Sequence, residues 1–253
     1  MVEYILNLIS EKSGALNVLT YLSSRTISST LTGLLIVLLF GDKFIQIIKK
    51  FQFNQNFDGR APESHKKKDG TPTMGGILII GSVVLSGLIW GDLSNKYLLL
   101  GLACLVGFAI IGFIDDYKKI FSLDSTGLSS TTKIFYQAMV ALVVSVILFA
   151  SSTSPQELEY IVPFFKNISI ELGVGFVFLS VFILVGSSNA VNLTDGLDGL
   201  AILPVIIITA ALGIIAWAAG NVIAAEYLYI PYLATTGELL VLCGALIGAG
   251  IGF

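Results

Sequence analysis

The sequence predicts an all-α, polytopic transmembrane bundle, and three observations carry that prediction. Charged residues make up 12% of the chain, about half the share of a soluble domain of this length. Apolar residues make up 55%, and they fall in uncharged runs near the length of about 20 that crosses a bilayer. The runs are continuous, without the alternation of a lipid-facing strand, so helices rather than a barrel must satisfy the backbone.

Taken in order, the first run covers residues 27–48 and is interrupted near its end by Asp42 and Lys43. The next five cover 73–90, 97–114, 134–150, 172–188 and 200–219. The seventh, 239–253, has 15 residues. It reaches about 22 Å, short of a hydrocarbon core of about 30 Å. The start, MVEYILNLISEKSG, has Glu3 and no basic leader, unlike a cleaved signal peptide. Residues 1–26 are expected as an outward-facing segment and 27–253 as a single transmembrane domain. Within 151–171 the pieces YIVPFF and ISIEL predict a short hairpin. Cys104 and Cys243 sit inside apolar runs as small buried hydrophobes. A net charge of −3, with no basic aromatic face, speaks against a nucleic-acid partner.

Basic residues set the orientation. Of 14 Lys and Arg, ten lie between runs one and two (Lys43, Lys49, Lys50, Arg60, Lys66, Lys67, Lys68) or three and four (Lys118, Lys119, Lys133). The positive-inside bias puts those connections, residues 49–72 and 115–133, in the cytoplasm. Parity puts the fifth connection, 189–199, on the same side and the N-terminus outside. The opposite loops look unremarkable.

Those three cytoplasmic connections carry the polar constellations. In HKKKDGTPTMGG, Lys66 and Lys67 read as topology anchors against anionic headgroups, and His65 as a surface residue. Thr73 reads as an N-cap. Gly75 and Gly76 cost a helix about 1 kcal/mol each relative to Ala. They suit close backbone approach, to a neighbouring helix or to a ligand. A helix N-terminus with Lys68 nearby suits an anion. In DDYKK, Asp115 and Asp116 close the third run, where carboxylates oppose the helix dipole. Lys119 is four and three residues away, within reach of both. Local ion pairing is one reading; a magnesium site beside a diphosphate is the other. In NAVNLTDGLDGLA, Asn189, Asn192, Asp195 and Asp198 recur every third residue. Four residues at that spacing drift off one helical face, and Gly196 and Gly199 predict that the chain turns or loosens here. Polar groups at this depth are costly unless they line a wet cavity or a ligand. Lys133 opens run four with Gln137 one turn inside it, as an interfacial anchor or as part of a site.

Together these motifs resemble the bacterial phospho-MurNAc-pentapeptide transferases, within the polyprenyl-phosphate N-acetylhexosamine-1-phosphate transferases. The GTPTMGG form resembles the muramoyl-pentapeptide branch more than relatives that transfer N-acetylglucosamine phosphate. The resemblance implies transfer of phospho-MurNAc-pentapeptide from UDP-MurNAc-pentapeptide to undecaprenyl phosphate, yielding lipid I and UMP, with Mg²⁺. That is the first membrane step of peptidoglycan synthesis, in the bacterial cytoplasmic membrane. It implies catalytic or metal-proximal roles for Asp115 and Asp116, and a cleft lined by Lys68, Thr73, Asn189, Asn192 and Asp195. It implies a uridine pocket from Gly196, Leu197 and Asp198, and phosphate contacts from Lys119 and Lys133. Leu123 and Thr131 stand where relatives often place basic residues. Family precedent adds a homodimer and about ten spans, of which about seven are present. The 253 residues alone are accordingly expected to be inactive. A related polyprenyl-phosphate sugar-1-phosphate transferase is the alternative activity. An ion-coupled transporter would place its charges nearer the bilayer midplane. A scaffold would use GALIGAGIG, whose Gly244 and Gly248 also suit packing within the chain's own bundle.

Overall fold

The computed structural model describes residues 14–56, 74–121, 127–162, 165, 168–194 and 200–253. They form an all-α membrane bundle. Its helices are α1 (Leu22–Asn56), α2 (Gly76–Trp90), α3 (Lys96–Phe121), α4 (Ser130–Ala150), α5 (Gly175–Thr194), α6 (Ile202–Ala219), the short α7 (Val222–Leu228) and α8 (Leu239–Gly252). Among the described residues five helices are long and apolar enough to cross a membrane, while α2 and the segment Thr236–Gly252 are shorter. The hairpin forms as predicted: β1 (Glu159–Ile161) pairs antiparallel with β2 (Ser169–Glu171), Tyr160 opposite Ile170. Cys104 and Cys243 are free thiols.

Two helices outrun their expected ends. α1 starts at Leu22 and continues through Asp42 and Lys43 to Asn56. Neither Gly nor Pro occurs from Asp42 to Asn56, so nothing breaks the helix once it leaves the apolar zone. α3 likewise does not stop at Asp115 and Asp116 but runs to Phe121, with Lys118 and Lys119 in its last turn. Those cations offset the dipole that the two carboxylates oppose.

The helices pack through small residues. α1 lies against α8, where Ser29 Oγ donates to Val241 O at 3.0 Å. A Cβ on Gly33 would sit 2.6 Å from Ala245 O, and one on Gly244 2.7 Å from Thr30 Oγ1. A Cβ on Gly248 would enter the backbone of Thr30. Lipid gives helices no hydrophobic drive to associate, so this close approach supplies the contact. The GALIGAGIG stripe therefore packs inside its own bundle. Gly248→Leu is expected to destabilise the protein by about 3 kcal/mol, the upper range for overpacking. Gly81→Leu is the control, because a Cβ there meets nothing within 4 Å. Thermal unfolding in nanodiscs reads both.

One end of the bundle is closed by buried charge, which the sequence reading passed over as unremarkable loops. At the start of α1, Arg25 forks onto Glu238, just before α8: Nη1 to Oε1 at 2.6 Å and Nη2 to Oε2 at 2.9 Å. Arg25 also donates to Trp90 O at the end of α2, and Asp92 N donates to Glu238 Oε1 at 2.7 Å. Asn95 Nδ2 reaches Thr235 O at 2.9 Å. Nearby, Lys96 Nζ donates to Ser151 O and to Glu157 Oε2, both at 2.7 Å. These bonds gather the starts of α1, α3 and α8 with the ends of α2 and α4. The end of α3 and the starts of α2 and α4 therefore lie at the opposite pole.

Burial alone would raise the Glu157 carboxyl. Hydrogen bonds from Lys96, from the Thr153 backbone and hydroxyl, and from Tyr97 instead hold it down to about 2, from an ordinary 4.5. A depressed carboxyl stabilises the fold above its unfolded value and loses that contribution as pH falls through its folded value. The stability gap between wild type and Lys96→Met is expected to be full above pH 4.5 and to narrow as pH falls toward about 2, leaving the share of the Lys96 bond to Ser151 O. Thermal midpoints measured across that window check it.

Candidate active site

At the opposite pole one buried carboxylate organises the polar residues. Asp115 lies on α3, two turns before its end, with only 6% of its surface exposed. Its Oδ1 accepts from Leu128 N at 2.7 Å. Its Oδ2 lies 2.7 Å from Lys119 Nζ and 3.6 Å from Lys133 Nζ. The first lysine comes from the same helix one turn on. The second comes from the first turn of α4, which Ser129 caps by accepting from Thr132 N. One carboxylate thus joins α3, the 127–129 connection and α4.

Asp116 points differently. Its side chain is 38% exposed and its Oδ1 takes a longer bond, 3.2 Å, from Lys119. The pair therefore splits into a buried anchor and an open carboxylate. The local ion pairing that the spacing allowed is present, but Asp115 holds a second lysine and a backbone amide besides.

Residues missed by the sequence reading complete the anchor. Gly127 passes so close beneath Asp115 that a Cβ would collide with its carboxylate and come within 2.8 Å of Lys119 Cε. The connection reaches the carboxylate only without a side chain there. The signal was the lone glycine in STGLSS. At α2 the two glycines separate in role. A Cβ on Gly75 would meet the Phe253 ring at 2.6 Å, whereas Gly76 has open space. Thr73 was expected to cap this helix. The cap is Gly75, which offers no side-chain bond, because Met74 takes a left-handed φ of 77° that no helix accepts.

The asparagine motif is also more helical than expected. α5 continues to Thr194, so Asn189 and Asn192 stand on its last two turns instead of in a loosened segment. Asn189 Nδ2 donates to Gln137 Oε1 on α4 at 2.7 Å and to Val185 O at 2.8 Å. Asn192 is exposed. Lys68, Thr73, Asp195, Gly196, Leu197 and Asp198 lie outside the described residues, as do His65, Lys66 and Lys67.

A family model for glycosyl transferase family 4 matches residues 98–253, and the phospho-N-acetylmuramoyl-pentapeptide-transferase signature 1 matches residues 68–80. The chain belongs to glycosyl transferase family 4. The family match covers α3, α4 and α5, and so Asp115, Asp116, Lys119, Lys133, Asn189 and Asn192. The signature falls on the KDGTPTMGG stretch. This family 4 member is a multi-pass membrane transferase for phospho-sugars.

Two features bear on what the family 4 site can hold. Among the described residues no three His, Cys, Asp or Glu side chains gather at one point. Magnesium needs no such cage, since one or two carboxylates plus substrate phosphates are its usual shell. The exposed Asp116 beside Asp115 fits that donor set. A separate recess of about 550 Å³ opens among Leu100, Cys104, Val144, Leu184 and Leu242. It is almost wholly apolar and lies toward the Arg25 pole, so it is not the site of phosphate chemistry.

Proposed function

We propose that this family 4 protein transfers phospho-MurNAc-pentapeptide from its UDP carrier to undecaprenyl phosphate, releasing UMP. The carrying observation is the buried Asp115 carboxylate holding Lys119 and Lys133 at one pole of an apolar bundle. A lipid phosphate and a soluble nucleotide can meet only at such a boundary. The basic bias of the connections on that side supports placing it in the cytoplasm.

The reaction joins two anions. An oxygen of the lipid phosphate attacks the sugar-bearing phosphorus, a new P–O–P linkage forms, and the P–O bond to UMP breaks. Lys119 and Lys133 supply fixed positive charge where oxygens crowd. Asp115 orients them. Its own oxygens are engaged by Leu128 N–H and by the two lysines, which makes it a poor nucleophile and a good anchor. Asp116, bonded to Lys119 through Oδ1 alone, would take a proton from the acceptor or hold a cation. Asp116, beside an Asp115 already committed to its lysines and the Leu128 amide, would hold Mg²⁺, which when bound neutralises phosphate charge. Asn192, Asp195, Gly196, Leu197 and Asp198 would receive the nucleotide, and Lys68 and Thr73 would close the other wall.

Signature 1 supports the muramoyl-pentapeptide donor over its alternative. The test offers the full-length gene product UDP-MurNAc-pentapeptide or UDP-N-acetylglucosamine, with undecaprenyl phosphate and Mg²⁺. UMP release from the first donor only is expected. Release from the second only would assign the related sugar-1-phosphate activity instead.

A further inference from the structure

Gln137 is the most deeply buried polar side chain near the site that the chemistry above leaves unused. It lies on α4 with 3% of its surface exposed. Its partners are two successive residues of α5: Oε1 accepts from Asn189 Nδ2 at 2.7 Å, and Nε2 donates to Ser188 Oγ at 3.3 Å.

The orientation of these amides is forced. Asn189 Nδ2 also donates to the Val185 carbonyl at 2.8 Å. A backbone carbonyl only accepts, so the nitrogen of Asn189 must face it. The same nitrogen then needs an acceptor on α4, which turns the Gln137 oxygen toward Asn189 and leaves the Gln137 nitrogen for Ser188. Each amide fixes the next. A rotation of α5 about its axis, or a slip of one residue, would part the buried Gln137 amide from both of its α5 partners, so the bonds favour one azimuth of α5.

The location gives this lock its consequence. Lys133 stands four residues before Gln137, on the same face of α4. That face therefore holds the lysine aimed at Asp115 and, one turn further, the lock on α5. Asn192 follows Asn189 by three residues, on the last turn before α5 ends. The lock thus sets the azimuth of the α5 terminus, and of Asn192, relative to Lys133.

We infer that Gln137 is a positioning residue of the transfer site, acting through Asn189, whose amide nitrogen is spent on the lock rather than on substrate. This rests on the transferase reading above. Interhelical polar bonds in membranes contribute little to stability on average, so the effect should be read in kinetics.

The test measures KM for the nucleotide donor, kcat and thermal midpoint in the full-length gene product. It compares Gln137→Met, Asn189→Leu, the double variant, and the swap Gln137→Asn with Asn189→Gln. Each single variant is expected to fold with a thermal midpoint near wild type and to lose about ten-fold in kcat/KM, the scale of a small misplacement. The double variant should lose no more than the worse single, because both break one lock. The swap should recover most of the loss. Unchanged kinetics in Gln137→Met, or additive losses in the double, would overturn the inference while leaving the transferase reading intact. A far larger loss in Asn189→Leu than in Gln137→Met would also overturn it, by making Asn189 a direct substrate contact. Absence of turnover in the wild type would overturn the transferase reading and this inference with it.

Discussion

Asp115→Asn is expected to cut UMP release by about 1,000-fold, the upper range for losing a preorganised electrostatic group. The replacement keeps the shape and removes the charge. Asparagine has one oxygen, and Leu128 N–H, bonded to Oδ1 at 2.7 Å, takes it. The new amide nitrogen then faces Lys119 and Lys133, which sat 2.7 and 3.6 Å from Oδ2. Three donors cannot share that space, so both lysines leave the position in which they would meet a diphosphate. The change lies at the pole opposite the Arg25 clasp, so the folded fraction should stay near wild type. Steady-state UMP release, normalised to folded protein, reads the effect.

Arg25→Ala is expected to have the largest effect on stability, a loss of about 3–5 kcal/mol. The pair it breaks has 8% exposure on each side chain. Truncating Arg25 leaves a buried carboxylate at Glu238 with, among the described residues, only the Asp92 amide against it. The loss also unties the end of α2, since Arg25 bonds Trp90 O. Replacing both charges by methionine should cost less, because the desolvation penalty disappears with the charge. Thermal midpoints of the single and double variants decide this. If the double variant proved as unstable as Arg25→Ala, the energetic account of the clasp would be wrong.

Much of this molecule was legible in its sequence. Continuous apolar runs gave the helices, because lipid leaves the backbone no other way to bond itself. The hairpin followed from β-branched and aromatic residues on either side of the outer connection. Asp115, Asp116 and Lys119 were legible because helical spacing alone brings them together. What was hidden is long-range. Nothing local links Arg25 to Glu238 across more than 200 residues, although a charge at each edge of an apolar run was a signal that a partner existed. Gly127 carries no local sign of its role, because the carboxylate it makes room for lies twelve residues away on α3. The extended ends of α1 and α3 were misjudged because hydropathy reports the membrane, whereas helix termination needs a breaker. Gln137 could be read only as an anchor or a site residue, since its role depends on which helix turns toward it.

The most direct measurement is UMP release by the full-length gene product in nanodiscs, given UDP-MurNAc-pentapeptide, undecaprenyl phosphate and Mg²⁺, for wild type and Asp115→Asn together. The account predicts one UMP per lipid-linked sugar phosphate from the wild type and near-background release from the variant. A wild type that releases no UMP, or a variant that matches it, would contradict the account.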